Sequence, residues 1–262
     1  MKSGIKLIAT DMDGTLLQNY APACSPEAIR LMNQLSAQGV YIVPASGRQY
    51  YNLHNMFYQM EREPVYLCEN GALVLYQEQV LLKRIFEREL AMKLCHMVID
   101  QPECEVLISG ERTGYLIPKS QDYVTYMVEH IKNDVTVITA PEEIQEPVIK
   151  VSYFIPEQYR QSVTEKFQEI VGDTCLVAVS GNEWVDFAPL GTSKGSALAA
   201  IGEGLGIDPA EMAAFGDNEN DRSMLELVGH PYLMKNCNPT MEDLSAIRCS
   251  SVEEELKKLL AE

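Results

Sequence analysis

The seven cysteines, Cys24, Cys68, Cys95, Cys104, Cys175, Cys237 and Cys249, contain no C-x-x-C pair. They are scattered and odd in number, which argues against a zinc site and against a disulfide framework. Each reads instead as a small hydrophobe. Positive charge is also scarce: 21 Lys and Arg stand against 38 Asp and Glu, a formal net charge of −17. A nucleic-acid backbone would be repelled by such a chain, so no nucleic-acid partner is expected. An anionic ligand would need local compensation, which one divalent cation, one lysine and one arginine could supply. No apolar stretch approaches the ~20 residues of a membrane helix, and no membrane partner is expected. The stretch from Lys2 to Ala9 is cut by Asp11 and Asp13 too early for a secretory leader, so the expected location is cytoplasmic. There is no internal repeat and no low-complexity segment. What remains is an ordinary globular composition, 46% hydrophobic and 23% charged over 262 residues, enough for one large domain or two smaller ones.

Short apolar runs alternate with helical patterns at both ends of the chain. Ile5 to Ala9, Val40 to Pro44 and Val65 to Cys68 read as buried strands. Between them lie helices from about Pro26 to Gln38, with Ser25 as N-cap and Gly39 as stop, and from about Gln49 to Met60. This alternation predicts a parallel sheet flanked by helices. Ala72 to Tyr76 and Gln79 to Arg84 read as a hairpin turning at Gln77-Glu78. The pattern then changes. Helices are expected at Glu87–Asp100, Gln121–Ile131 and Pro156–Ile170, and strands at Cys104–Ser109, Val148–Phe154 and Cys175–Ser180, forming one sheet with helices on one side. The first pattern returns with a helix capped by Thr192 or Ser193, a strand Met212 to Phe215, a helix from about Asp221 to Val228, and two last short strands. The expected fold is therefore α/β: a Rossmann-like, doubly wound parallel sheet over residues 1–84 and 188–262, interrupted by an α+β domain over 85–187.

Chemistry-bearing residues sit where these strands end. Asp11-Met12-Asp13-Gly14-Thr15 follows the first strand and sets two carboxylates beside a turn glycine and a hydroxyl. An Asp-Gly turn is the alternative reading of that string. Ser46-Gly47-Arg48 ends the second strand; its hydroxyl and backbone N–H groups could hold an anion or simply cap a helix. Lys194-Gly195 opens a helix, and Gly216-Asp217-Asn218-Glu219-Asn220-Asp221 follows the Met212 strand. Taken one at a time, the last two are a solvated lysine and an acidic capping loop as readily as a site.

In this order the segments resemble the haloacid dehalogenase superfamily, and within it the Cof-type phosphatases with a large type-2 (IIB) cap inserted between motifs two and three. Glu69-Asn70-Gly71-Ala72 resembles the family's N-G-A turn as well. The inserted segment carries no motif. Ser46 stands where the family often has threonine, Asn236-Cys237 where it often has Asn-Ala, and Ser250-Ser251-Val252 where it often has Asp-Gly-Val.

The resemblance implies that Asp11 is a nucleophile forming an aspartyl-phosphate and that Asp13 is the general acid and base. Ser46 and Lys194 join them as catalytic groups. It implies a Mg²⁺ ion held by Asp11, Asp217, the Asp13 carbonyl and Asp221, the last through water, and substrate contacts from Met12, Gly47, Arg48 and Asn220. Arg48 could instead pair with an acid. Hinges are expected near Lys83–Glu87 and Asp186–Gly191, with Trp184 and Asp186 either lining an entrance or packing the hinge. The expected activity is magnesium-dependent hydrolysis of small phosphorylated metabolites, sugar phosphates first and cofactors such as PLP or FMN next. The alternatives are a sugar phosphomutase and a catalytically silent ligand sensor. A monomer or small homo-oligomer is expected.

Overall fold

The computed structural model describes residues 4–19, 21–180 and 183–261, which divide into two compact units. The first joins the two ends of the chain, up to Leu82 and from Ser193 onward; the second is Lys83–Thr192.

The first unit is built on a five-stranded parallel sheet. Its order is Ile247–Cys249, His230–Met234, Met212–Gly216, Leu7–Thr10 and Tyr41–Pro44. The central strands are short and almost wholly buried, as a sheet covered on both faces requires. Leu7, Ala9, Val43 and Ala214 point into a core shared with Ala197, Leu198 and Ile201 of the Lys194–Leu205 helix. Alternation turns Ile8 and Ile42 the other way. The helices pack in two pairs, Pro26–Ala37 with Val252–Ala261 and Lys194–Leu205 with Arg222–Leu227. Ser25 caps its helix by accepting from the Ala28 N–H at 3.0 Å, with Pro26 at the first helical position. Neighbouring strands run from Leu7–Thr10 in opposite connection order, so the crevice at their carboxyl ends is a topological switch point.

A three-stranded sheet, Tyr66–Cys68, Leu73–Tyr76 and Gln79–Lys83, extends this edge through a parallel bridge between Ala45 and Leu67. Gln77 and Glu78 both have positive φ, the geometry of a two-residue hairpin turn that matches strand twist. The helix after Ser46 is shorter than its apolar pattern, Tyr50–Met56, and ends in a tight turn at Phe57.

The second unit holds a six-stranded sheet where three strands were expected. Its order is Leu176–Val179, Trp184–Ala188, Val148–Phe154, Glu105–Gly110, Gly114–Leu116 and Val135–Val137. The two three-residue strands are too short to show alternation. Trp184–Ala188, which overlaps the hinge expected at Asp186–Gly191, is a strand paired on both sides. The unit therefore runs to Thr192, beyond the 187 boundary drawn from pattern. Helices Arg88–Ile99 and Glu157–Val171 cover one face through Leu94, Val98, Val163 and Phe167. The other face is not bare. Tyr123 and Met127 pack there on Leu107, Leu116, Phe154 and Trp184. Their segment is α-helical over Gln121–Thr125 and widens into a π-turn over Tyr126–His130. Trp184 thus packs within its own sheet, and buried Asp186 accepts from the Ser152 hydroxyl at 2.6 Å beside Lys150 at 3.4 Å. No helix among the described residues is long and apolar enough to cross a membrane.

Gly71 shows how closely the first unit is fitted. Its φ is +97°, and a Cβ there would lie 2.3 Å from the carbonyl oxygen of Ser193, the cap of the Lys194 helix. Gly71→Ala combines left-handed strain with a backbone clash and should cost about 3 kcal/mol. A lowered urea midpoint at constant m-value would show it; an unchanged midpoint would mean that the turn relaxes freely.

Candidate active site

The Leu7–Thr10 strand ends in a tight turn. The Leu17 N–H donates to the Met12 carbonyl at 2.7 Å, and Leu16 N–H to that of Asp11 at 3.3 Å. The turn folds Thr15 back so that its hydroxyl donates to Asp217 Oδ1 at 2.6 Å. Gly14 makes this approach possible: a Cβ on it would sit 2.5 Å from the Asp217 carboxylate. Asp11 and Asp217 come from neighbouring parallel strands, and the Asp11 N–H donates to the Phe215 carbonyl at 2.9 Å.

Lys194 is fully buried and enters from the start of its helix. Ser193 fixes that start by accepting from the Ser196 N–H at 3.0 Å. The ammonium donates to Asp11 Oδ1 at 2.5 Å and to Asp221 Oδ1 at 2.6 Å. The other Asp221 oxygen accepts from the Asp217 N–H at 2.9 Å and the Asn218 N–H at 3.1 Å. Asp221 therefore organises the loop that carries Asp217, and Gly216 leaves it room. Carboxylate oxygens of Asp11, Asp217 and Asp221 all lie within 4.8 Å of one another. At that separation two such charges repel by roughly 3 to 4 kcal/mol at an effective dielectric of ~20.

The titration shifts follow this crowding. Burial raises Asp11 well above the usual carboxylate range, and the Asp221 charge adds to it. Burial likewise raises Asp217. Burial alone would push the Lys194 ammonium down, but Asp11 and Asp221 overcome it and hold the proton more tightly than usual. Three carboxylates and one ammonium leave the cluster two charges short of neutral. Hard oxygen donors in that number fit a divalent cation such as Mg²⁺.

The expected site residues fall into two groups. Asp11, Lys194, Asp217 and Asp221 come together in the buried cluster. The Asp13 side chain is not in it. It is exposed and makes a two-pronged pair with Arg48, Nε to Oδ2 at 2.8 Å and Nη2 to Oδ1 at 2.7 Å. Asn52 steadies the guanidinium at 2.8 Å. Arg48 therefore takes the acid-pairing alternative. Its pKa is raised because the pair with Asp13 outweighs the lowering effect of burial. The Met12 side chain is wholly buried in the core, which leaves only its main chain for the expected substrate contact.

Ser46 is buried, with its hydroxyl accepting from the Arg48 N–H at 3.2 Å. Its carbonyl accepts from the Asn70 N–H at 2.9 Å. Asn70 was read only as part of a resembling turn, yet it links two loops of the site. Its side chain packs over Gly47, 3.1 Å from where a Cβ would stand, and its Oδ1 accepts from Asn220 Nδ2 at 3.1 Å. The backbone is left-handed at Glu69, Asn70 and Gly71 in succession. Strain of this kind in non-glycine residues gathers at functional sites. Asn, tolerant of positive φ, was the one signal available in the sequence.

The model of the haloacid dehalogenase-like hydrolases matches residues 8–255, and the chain belongs to that family. A 5-amino-6-(5-phospho-D-ribitylamino)uracil phosphatase of Escherichia coli is 26% identical over 94% of this chain and 91% of its own. The HMP-PP phosphatase of Citrobacter koseri is 28% identical over 90% of this chain and 86% of its own. In fold, the chain superposes with a TM-score of 0.79 on a subclass IIB sugar phosphatase of this superfamily, 20% identical, over 97% of this chain and 98% of the other. The fold is that of the Cof-type members with their inserted IIB cap, and the enzyme is a phosphatase.

Substitutions at two positions probe the assembly of the site. Lys194→Met strands two buried carboxylates and should cost about 3 to 5 kcal/mol in urea unfolding without added metal. A loss below ~1 kcal/mol would show that the acids are compensated otherwise. Asn70→Gly keeps the left-handed backbone and should be more stable than Asn70→Ala by about 1 kcal/mol. Both should lose phosphatase activity by roughly tenfold, the cost of one missing positioning bond. Full activity in the glycine variant would make Asn70 a turn residue only.

Proposed function

We propose that this phosphatase hydrolyses phosphomonoesters of small polyhydroxylated metabolites with Asp11 as nucleophile and Mg²⁺ as its metal. The observation that carries the reading is Lys194, wholly buried and bonded to Asp11 and Asp221, in a cluster that Asp217 completes. A lysine held there fixes the orientation of the attacking carboxylate and offers its remaining hydrogen to a phosphoryl oxygen.

In the first step an Asp11 oxygen forms a bond to phosphorus while the bond from phosphorus to the substrate's alcohol oxygen breaks. Asp13 gives its proton to that leaving oxygen. In the second step Asp13 takes a proton from water, and the hydroxide attacks phosphorus. The bond to Asp11 breaks, which frees inorganic phosphate and restores the carboxylate. Asp13 is the exposed acid beside this cluster, and Arg48 holds it in place between steps. Ser46 and the Gly47 N–H would steady the phosphoryl oxygens, and Asn220 would add a neutral donor. Asp11, Asp217 and the Asp13 carbonyl would hold Mg²⁺, with Asp221 acting through the loop it organises or through water. Mg²⁺ bound there supplies charge neutralisation to the phosphoryl group.

The Lys83–Thr192 unit is read as the family's cap. Sugar or sugar-alcohol phosphates are the first choice of substrate, since the Escherichia coli relative is named for a phosphoribityl compound. A phosphorylated cofactor or its precursor comes second, with the relative named for HMP-PP behind it.

Phosphate release from a panel of such esters tests the reading. Asp11→Asn should lower it by about 10³-fold or more. EDTA should abolish it and Mg²⁺ restore it, and hydrolysis in ¹⁸O-water should place label in the released phosphate. Release that survives Asp11→Asn would end the mechanism, and turnover without label would point to a phosphomutase.

A further inference from the structure

A cavity of about 540 Å³ opens beside the cluster, wholly within the first unit. Asp13 and Asp217 form one wall, Gln18 lies on the turn side, and Lys235, Asn236 and Ser250 close it from the ends of two outer strands. That volume suits an organic group of metabolite size. The floor is well anchored. The Lys235 N–H donates to the Cys249 carbonyl at 2.9 Å, and Gln18 Nε2 donates to the Ser250 carbonyl at 2.9 Å.

The charges lining it are unequally committed. Asp13 is paired with Arg48 through two bonds. Asp217 accepts from Thr15 and belongs to the carboxylate cluster. Lys235 is the only basic residue lining the cavity among those described, and it has no ion-pair partner among the described residues. Its side chain is exposed, as is usual for lysine. Gln18 and Asn236 add neutral donors and acceptors on either side.

From this we infer that the cavity receives the alcohol portion of the substrate and selects phosphomonoesters that carry a second anionic group, which Lys235 binds. The inference rests on the phosphatase reading only for the place of the phosphoryl group. Asp13, which protonates the leaving oxygen, lines the cavity, so the atoms beyond that oxygen lie at its mouth. An anionic end reaching Lys235 gains a charge-assisted hydrogen bond that a neutral end cannot form.

The test uses two open-chain ligands that differ at one carbon, 6-phosphogluconate with a carboxylate and sorbitol 6-phosphate with an alcohol. Each is measured as a competitive inhibitor of p-nitrophenyl phosphate hydrolysis by the full-length Mg²⁺-loaded enzyme, so neither need be turned over. The wild type should bind the carboxylate roughly tenfold more tightly. Lys235→Met should erase the preference by weakening 6-phosphogluconate, and Lys235→Arg should keep most of it. Equal binding of the two by the wild type, failure of 6-phosphogluconate to bind, or a preference that survives Lys235→Met would overturn the inference. The carrier reaction separates the two readings. Loss of p-nitrophenyl phosphate hydrolysis in Asp11→Asn upholds the phosphatase even where Lys235 proves irrelevant.

Discussion

The site depends on one buried cation. Lys194 has no access to solvent, and its ammonium is enclosed by oxygens of Asp11 and Asp221. Removing an ammonium from water is costly, and only close, well-directed acids offset it. Asp11 directly follows Leu7–Thr10 and Asp221 lies in the turn after Met212–Gly216, so the interaction also ties the ends of these two parallel strands together. The glycines follow from the same constraint. Gly14 and Gly216 stand where Asp217 and Asp221 come to 2.5 Å from a missing Cβ, and Gly195 where the Ser223 carbonyl comes to 2.3 Å.

One lysine does not balance three carboxylates. The residual negative charge raises Asp11 and Asp217, with burial the leading cause in each. A structural core would not keep such an arrangement, because replacing the charges with apolar groups is generally neutral or stabilising. A site that receives a divalent cation would keep it, since the cation offsets the two excess negative charges. The Asp13–Arg48 pair lies outside this cluster and is far more exposed. Two carboxylates two residues apart in sequence thus occupy different electrostatic surroundings, which the proposed division between nucleophile and acid–base group requires.

Much of the first unit was legible. Its strands are buried on both faces and read as continuous apolar runs, and its helices carry caps at Ser25 and Ser193. The second unit was less so. Gly114–Leu116 and Val135–Val137 owe their strand state to partners across the sheet, and Trp184–Ala188 runs into Pro189 and Gly191, which suggested a hinge from Asp186. The helix expected over Gln121–Ile131 is there, α-helical to Thr125 and then π, but its place on the second face of the sheet was not legible. Asn70 was missed as a site residue because its role is a contact with Asn220, 150 positions away.

The sequence by itself determined which chemistry is available. Two acids after a buried strand, a hydroxyl with a glycine, a lysine opening a helix and an acidic loop are local facts, and their order carried the family resemblance. Only the tertiary structure decided where each acid is placed. Asp13 turns out to Arg48, Asp221 turns in to hold Lys194 and its own loop, and Met12 is buried in the core. Strand spacing predicts that side chains alternate, but a turn after the last residue of a strand sets their final directions. Those directions depend on distances across the sheet that no stretch of chain contains.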